Sequence, residues 1–110
     1  MSKLSRRRGK DNERAVLKLL QHLDEELRRL GVLGEEDLVG RYVVVECKSR
    51  QSLPQWLSHA FEQLRSSRHP DRIHVVQLHL HRKRHLDDLI MMTLDTFIRL
   101  LEAFVRQVKR

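Results

Sequence analysis

Four residues of this chain have the types and the spacing that phosphodiester chemistry uses. Glu46 and Lys48 end the run YVVVECK, residues 42–48. That run reads as a strand, because four β-formers open it and Gly40 stands just upstream. Side chains alternate along a strand, so Tyr42, Val44, Glu46 and Lys48 share one face, and Val43, Val45 and Cys47 share the other. A carboxylate and an ammonium therefore point the same way at the end of an apolar strand. Burying such ions is costly unless they pair or bind a metal. Asp37, in EEDLVG, precedes Glu46 by nine residues and stands at the end of what reads as a short partner strand. Glu13 lies on the first amphipathic segment. At about 100° per residue it falls over the core-facing stripe of Val16 and Leu20, not on the solvent side.

Phosphodiester hydrolysis needs a positioned water, a metal ion to raise its nucleophilicity, and positive charge near the developing phosphorane. Hard Mg²⁺ takes oxygen ligands and completes its shell with waters. Asp37 and Glu46 can supply those oxygens, with the backbone carbonyl of Cys47 as a third. Glu13 can hold a metal-bound water or a second ion. Lys48 can orient the water, help deprotonate it, or offset transition-state charge. Each residue also has a plain structural reading. Glu13 is then a partner of the helix dipole, Asp37 a turn residue, and Glu46 with Lys48 an ordinary ion pair.

The elements that must position these residues follow from periodicity. Val16, Leu20, Leu23, Leu27 and Leu30 predict a first helix over 11–30, capped by Asp11 or Asn12. A second helix is expected over 52–67, capped by Ser52, with Pro54 in its first turn. Its apolar face is Leu57, Phe61 and Leu64, widened by Trp56 and Ala60, with Gln63 at the side. Strands are expected over 73–80 and 89–94, joined by the charged turn His81–His85. Thr93 or Asp95 caps a last helix reaching Val108, with Phe97, Leu101, Phe104 and Val108 as its stripe. The order of helix, strands, helix, strands, helix gives an α/β or α+β fold, α/β being the one expected here, as a single domain with a small mixed sheet flanked by helices.

Taken in order, these motifs resemble the PD-(D/E)XK nucleases, and within them the archaeal-type Holliday junction resolvases and similar phage nucleases. RRRGKDNERAVLKLL is similar to the family's opening, through Gly9, Lys10, Glu13 and Arg14. Asp37 takes the place of the motif's first acid, although Glu36 stands where the family has proline. Glu46 and Lys48 in VECK take the second acid and the lysine. Gln63 represents the glutamine that similar families carry on the following helix. The resemblance implies a restriction-endonuclease-like core, with Mg²⁺ as cofactor and Mn²⁺ as substitute. It also implies cleavage of branched DNA such as four-way junctions, a homodimer, and the cytoplasm of a prokaryote or of a phage-infected host cell. Two alternatives stay open: a nicking or single-strand nuclease with the same site, and a non-catalytic basic DNA-binding module.

Composition agrees with a polyanionic partner, since the formal net charge is +7. A flexible arm over 1–10, with Arg6, Arg7, Arg8 and Lys10, is expected to contact phosphates. Arg14 and the turn residues Arg82, Lys83 and Arg84 are expected to do the same. No apolar run is long enough to span a bilayer, and the basic, polar start of the chain has no signal-peptide core. The single cysteine excludes an intramolecular disulfide framework and fits a reducing compartment. Cys47 is expected to be a core thiol, not a nucleophile. The seven histidines invite a zinc reading, with His79 and His81 flanking Leu80 and His74 and His85 near. There is no second pair at ligand spacing and no CxxC, so the expectation is a solvated strand face beside a basic turn.

Overall fold

The computed structural model describes residues 3–30 and 37–109, and for 3–8 the backbone only. It has three helices and two small antiparallel sheets. The chain divides into two compact units: residues 1–51 with 101–110, and residues 52–100.

The first unit opens with helix α1 (Lys3–Leu20), followed by strands β1 (Arg28–Arg29), β2 (Leu38–Val39) and β3 (Val44–Val45). Helix α1 differs from expectation at both ends. It begins eight residues before Asp11, so Asp11 and Asn12 lie inside it rather than capping it, and the backbone over 3–10 is helical rather than a free arm. It stops at Leu20 although the leucine period continues. The cause is Asp24, whose fully buried carboxylate accepts N–H bonds from Arg41 (2.9 Å), Tyr42 (2.8 Å) and Val43 (3.2 Å). Leu23 and Leu27 stay buried as the period requires, but on a turn that leads into β1.

The three strands form one sheet in sequence order. Arg29 pairs with Leu38, and Leu38 in turn with Val45. The expected strand over 42–48 shrinks to Val44–Val45 for a visible reason. The N–H groups of Tyr42 and Val43 go to Asp24, and that of Cys47 goes to the Asp37 side chain. The β2–β3 turn is closed by Gly40 N–H to the Val43 carbonyl at 2.9 Å. Gly40 must be glycine, because a Cβ there would lie 2.6 Å from Asp24 Cγ. Leu20, Leu23, Leu27, Leu38, Leu101 and Val105 make the core of this unit. The last two belong to helix α3 (Leu94–Val108). Its buried edge is thus Leu101 and Val105, while Phe104 and Val108, expected on the stripe, are about half exposed. Phe104 still packs edge-on against Tyr42, with ring centroids 6.0 Å apart.

The second unit contains helix α2 (Gln55–Arg65), strands β4 (Val76–Leu78) and β5 (Leu89–Met91), and the start of α3. Pro54, not Ser52, stands at the N-cap of α2, and its carbonyl accepts the Leu57 and Ser58 N–H groups. Leu57 is the buried residue of this helix, and Trp56 is exposed instead of widening the apolar face. β4 and β5 form the expected antiparallel hairpin, with Leu78 opposite Leu89. Thr93 caps α3 as expected, its hydroxyl accepting the Thr96 N–H. Every described strand pairing is antiparallel, where a mixed sheet was expected, because β4 closes locally on β5.

Candidate active site

The β2–β3 register decides the placement of the two principal acids. Leu38 faces Val45 across the ladder and Val39 faces Val44, so the next pair outward is Asp37 and Glu46. Direct cross-strand neighbours have Cβ atoms about 5 Å apart, and like charges there repel. The Asp37 carboxyl nevertheless sits below its usual value of 3.8. The Glu46 carboxyl is its main hydrogen-bonding partner. The Cys47 N–H, donated to Asp37 Oδ2 at 2.7 Å, comes next. Burial opposes these, while the Lys48 charge and the Glu13 carboxyl add to them. Glu13, Glu46 and Lys48 therefore each act on Asp37, although they come from α1 and from the segment just after β3.

Helix α1 contributes through two adjacent residues. Asn12 Nδ2 donates to the Lys48 carbonyl at 3.4 Å, which ties the helix to the segment after β3. Glu13 Oε2 accepts from Arg29 Nε at 3.0 Å, an ion pair with both side chains largely buried. Leu30 N–H reaches the Asp37 carbonyl at 3.3 Å, which fixes the backbone of Asp37 against β1. Three acids thus meet two cations, Arg29 and Lys48. The acids are joined in a chain through Asp37. Among the described residues, they do not bring three ligand atoms as close together as the histidine group described below.

The Glu46 face is open. Val44, Glu46 and Lys48 are exposed while Val43, Val45 and Cys47 are half-buried, so the expected alternation holds over 43–48, but Tyr42, expected on the exposed face, is half-buried against Phe104. Solvent reaches Glu46 and Lys48, and so does any ligand approaching from that side. Cys47 is half-buried, not core. Burial raises its thiol pKa above the usual value, and the charges of Asp37, Glu13 and Glu46 raise it further. The thiol stays protonated near neutral pH and is a poor nucleophile.

The other expected site residues are dispersed. Gln63 is exposed on α2, in the second unit. The side chains of Arg6, Arg7 and Arg8 lie outside the described residues. Lys10 is exposed, and Arg14 is exposed beside Asp11 at 3.9 Å. In the charged turn, Arg82 takes a left-handed backbone (φ 70°), and Lys83 N–H closes the turn on the Leu80 carbonyl. Arg84 donates two bonds of 3.0 Å to Asp87, so its charge is already engaged.

Three features escaped the sequence. Arg29 is sixteen residues from Glu13, and nothing local announces the pair. Asp24 did leave a signal: it sits four residues after Leu20, on the buried stripe, where an acid must find donors. The third is the group His79, His85 and Asp88, whose ligand-type atoms lie within 4.8 Å of one another. His79 and His85 were noted, but not their acidic partner. Comparison with protein-family models, curated proteins and solved structures returned no match.

Proposed function

We propose that this chain is a Mg²⁺-dependent endonuclease acting on DNA, with a restriction-endonuclease-like core in its first unit and branched DNA as its substrate. One observation carries the reading. Asp37 and Glu46 face each other across the β2–β3 ladder, and Lys48 and Glu13 act on the same carboxyl. Hard oxygen donors beside an ammonium are a donor set that suits Mg²⁺, with Mn²⁺ as substitute. Asp37, Glu46 and the Cys47 carbonyl would hold the ion, whose chemistry is to activate water and polarise a phosphoryl oxygen. Lys48, exposed at the strand end, orients the water or offsets charge on the phosphorane. Glu13, held by Arg29, positions water from the helix side. The open Glu46 face leaves room for a phosphate backbone, and the net charge of +7 favours one. Exposed Trp56, Phe104 and Val108 are surfaces on which a homodimer could form, as cutting two opposed strands requires.

A second reading has its own observation. Asp37 already accepts the Cys47 N–H, and Glu13 already pairs with Arg29, so both acids have structural partners. The chain would then be a basic DNA-binding module without catalysis. Incubation with a four-way junction and with the matching linear duplex, with and without Mg²⁺, separates the two. The nuclease reading expects metal-dependent cleavage. Lys48→Ala, at an exposed position, should lower it by about 10²–10⁴-fold with an unchanged melting temperature. Asp37→Asn and Glu46→Gln should abolish cleavage and leave DNA binding intact. A protein that binds these DNAs and cuts none of them in Mg²⁺ or Mn²⁺ is the binding module.

A further inference from the structure

The second unit holds a group that the nuclease reading does not use. The β4–β5 ladder ends with Leu78 opposite Leu89, so the next pair outward is His79 and Asp88. Between them, His85–Asp87 form a single 3-10 turn, with the Asp88 N–H bonded to the His85 carbonyl at 3.0 Å. Side chains three residues apart eclipse in such a turn, so His85 and Asp88 project together. Sheet register and 3-10 geometry thereby deliver three side chains to one place. His79 Nδ1 lies 2.6 Å from Asp88 Oδ1, and His85 Nδ1 lies 3.0 Å from Asp88 Oδ2. The two imidazole rings lie side by side, with centroids 4.1 Å apart and planes inclined by 31°. Gln77 Nε2 also donates to Asp88 Oδ2, which fixes the carboxylate from behind.

We propose that His79, His85 and Asp88 bind a divalent transition-metal ion of the zinc class, closing the β4–β5 hairpin. Two imidazole nitrogens and one carboxylate are a familiar three-residue set for such an ion, with water in the fourth position. Zinc–ligand bonds of about 2.0–2.1 Å give tetrahedral edges of about 3.3 Å. The His–Asp contacts of 2.6 and 3.0 Å must open slightly and the widest separation, within 4.8 Å, must close toward that edge, an adjustment that exposed His85 can make. Gln77 then plays the orienting part that outer hydrogen bonds play around ligating carboxylates. Arg84, which precedes His85, is paired with Asp87. The ligands differ from the oxygen set around Asp37, and the proposal stands independently of nuclease activity.

Co²⁺ titration of the metal-free full-length protein, followed by visible absorption, is the test. The expected result is a saturable one-to-one spectrum with tetrahedral or five-coordinate bands, competed by Zn²⁺ but not by excess Mg²⁺. His85 is 80% exposed, so His85→Ala should keep the fold and weaken Co²⁺ affinity by more than about tenfold. Gln77→Leu should weaken it by about tenfold. His81→Ala should leave it unchanged. Zn²⁺ should also raise the melting temperature of the parent protein and not that of His85→Ala. Absence of saturable binding, or binding that His85→Ala leaves intact, overturns the proposal.

Discussion

Replacing Asp24 by alanine removes the acceptor of three backbone N–H groups at once. Arg41, Tyr42 and Val43 donate to it over 2.8–3.2 Å, and the carboxylate itself is fully buried. A hydrogen bond to a charged group contributes about 1.5–3 kcal/mol. The three share two oxygens, and water can reach the exposed Arg41 after the change, so the terms do not simply add. A loss of about 3–5 kcal/mol is expected for Asp24→Ala, most of the margin of a small domain. Asp24→Asn keeps one acceptor oxygen and loses the charge, so about half that loss is expected. Thermal unfolding by circular dichroism should show a fall of more than about 10 °C for the alanine variant. Hydrogen exchange should show lost protection at the N–H groups of Arg41, Tyr42 and Val43. The turn they form sets the register of Asp37 against Glu46, so any cleavage activity should fall with it. A melting temperature within about 2 °C of the parent protein would refute this account, because water would then replace the carboxylate at no cost.

Other outcomes follow from the same geometry. The two described glycines flanking the site should respond oppositely: Gly40→Ala meets Asp24 and should cost more than about 2 kcal/mol. Gly9→Ala meets nothing within 4 Å on α1 and should gain about 0.5–1 kcal/mol in thermal or urea unfolding. Acid titration of stability should follow the depressed carboxyls. Burial alone would raise Asp24, but its backbone N–H partners pull it below 3.8, and Asp37 is also lowered. Their stabilisation is therefore complete above the usual carboxyl value and is lost as pH falls below it, so urea midpoints measured from pH 6 to pH 2 should drop more steeply for the parent than for Asp24→Asn. Arg29→Met leaves Glu13 without its cation and should cost about 1–3 kcal/mol, with a double-mutant cycle against Glu13→Gln recovering most of that as coupling.

What the sequence made legible depended on whether local geometry alone decides it. The helical angle that placed Glu13 over the buried stripe does not depend on where the helix ends, so it held although both ends were misjudged. Strand alternation placed Glu46 and Lys48 on one face for the same reason. The extent of the strand was not legible, because the fates of the Tyr42, Val43 and Cys47 N–H groups depend on two side chains far from them in sequence. The leucine period correctly marked Leu23 and Leu27 as buried but could not show that the helix ends at Leu20, before both of them. On α3 the stripe was displaced by one position, from Phe104 to Val105, since packing within the first unit, to which both residues belong, decides which edge is buried. The histidines failed differently. His85 and Asp88 meet only in a 3-10 turn, and His79 joins them only through pairing of strands on either side of it.

Asp37 and Glu46 are separated by eight residues, and the ladder between them consists of two pairs and one closed turn. That makes the interval a ruler. One inserted or deleted residue between them would carry one acid to the opposite side of the sheet, unless a bulge absorbed it. Evolution can therefore exchange the residues of this hairpin more freely than it can change their number. Relatives that keep the site should vary at Val39, Arg41 and Val44 while holding the interval constant. Length changes should accumulate elsewhere in the chain.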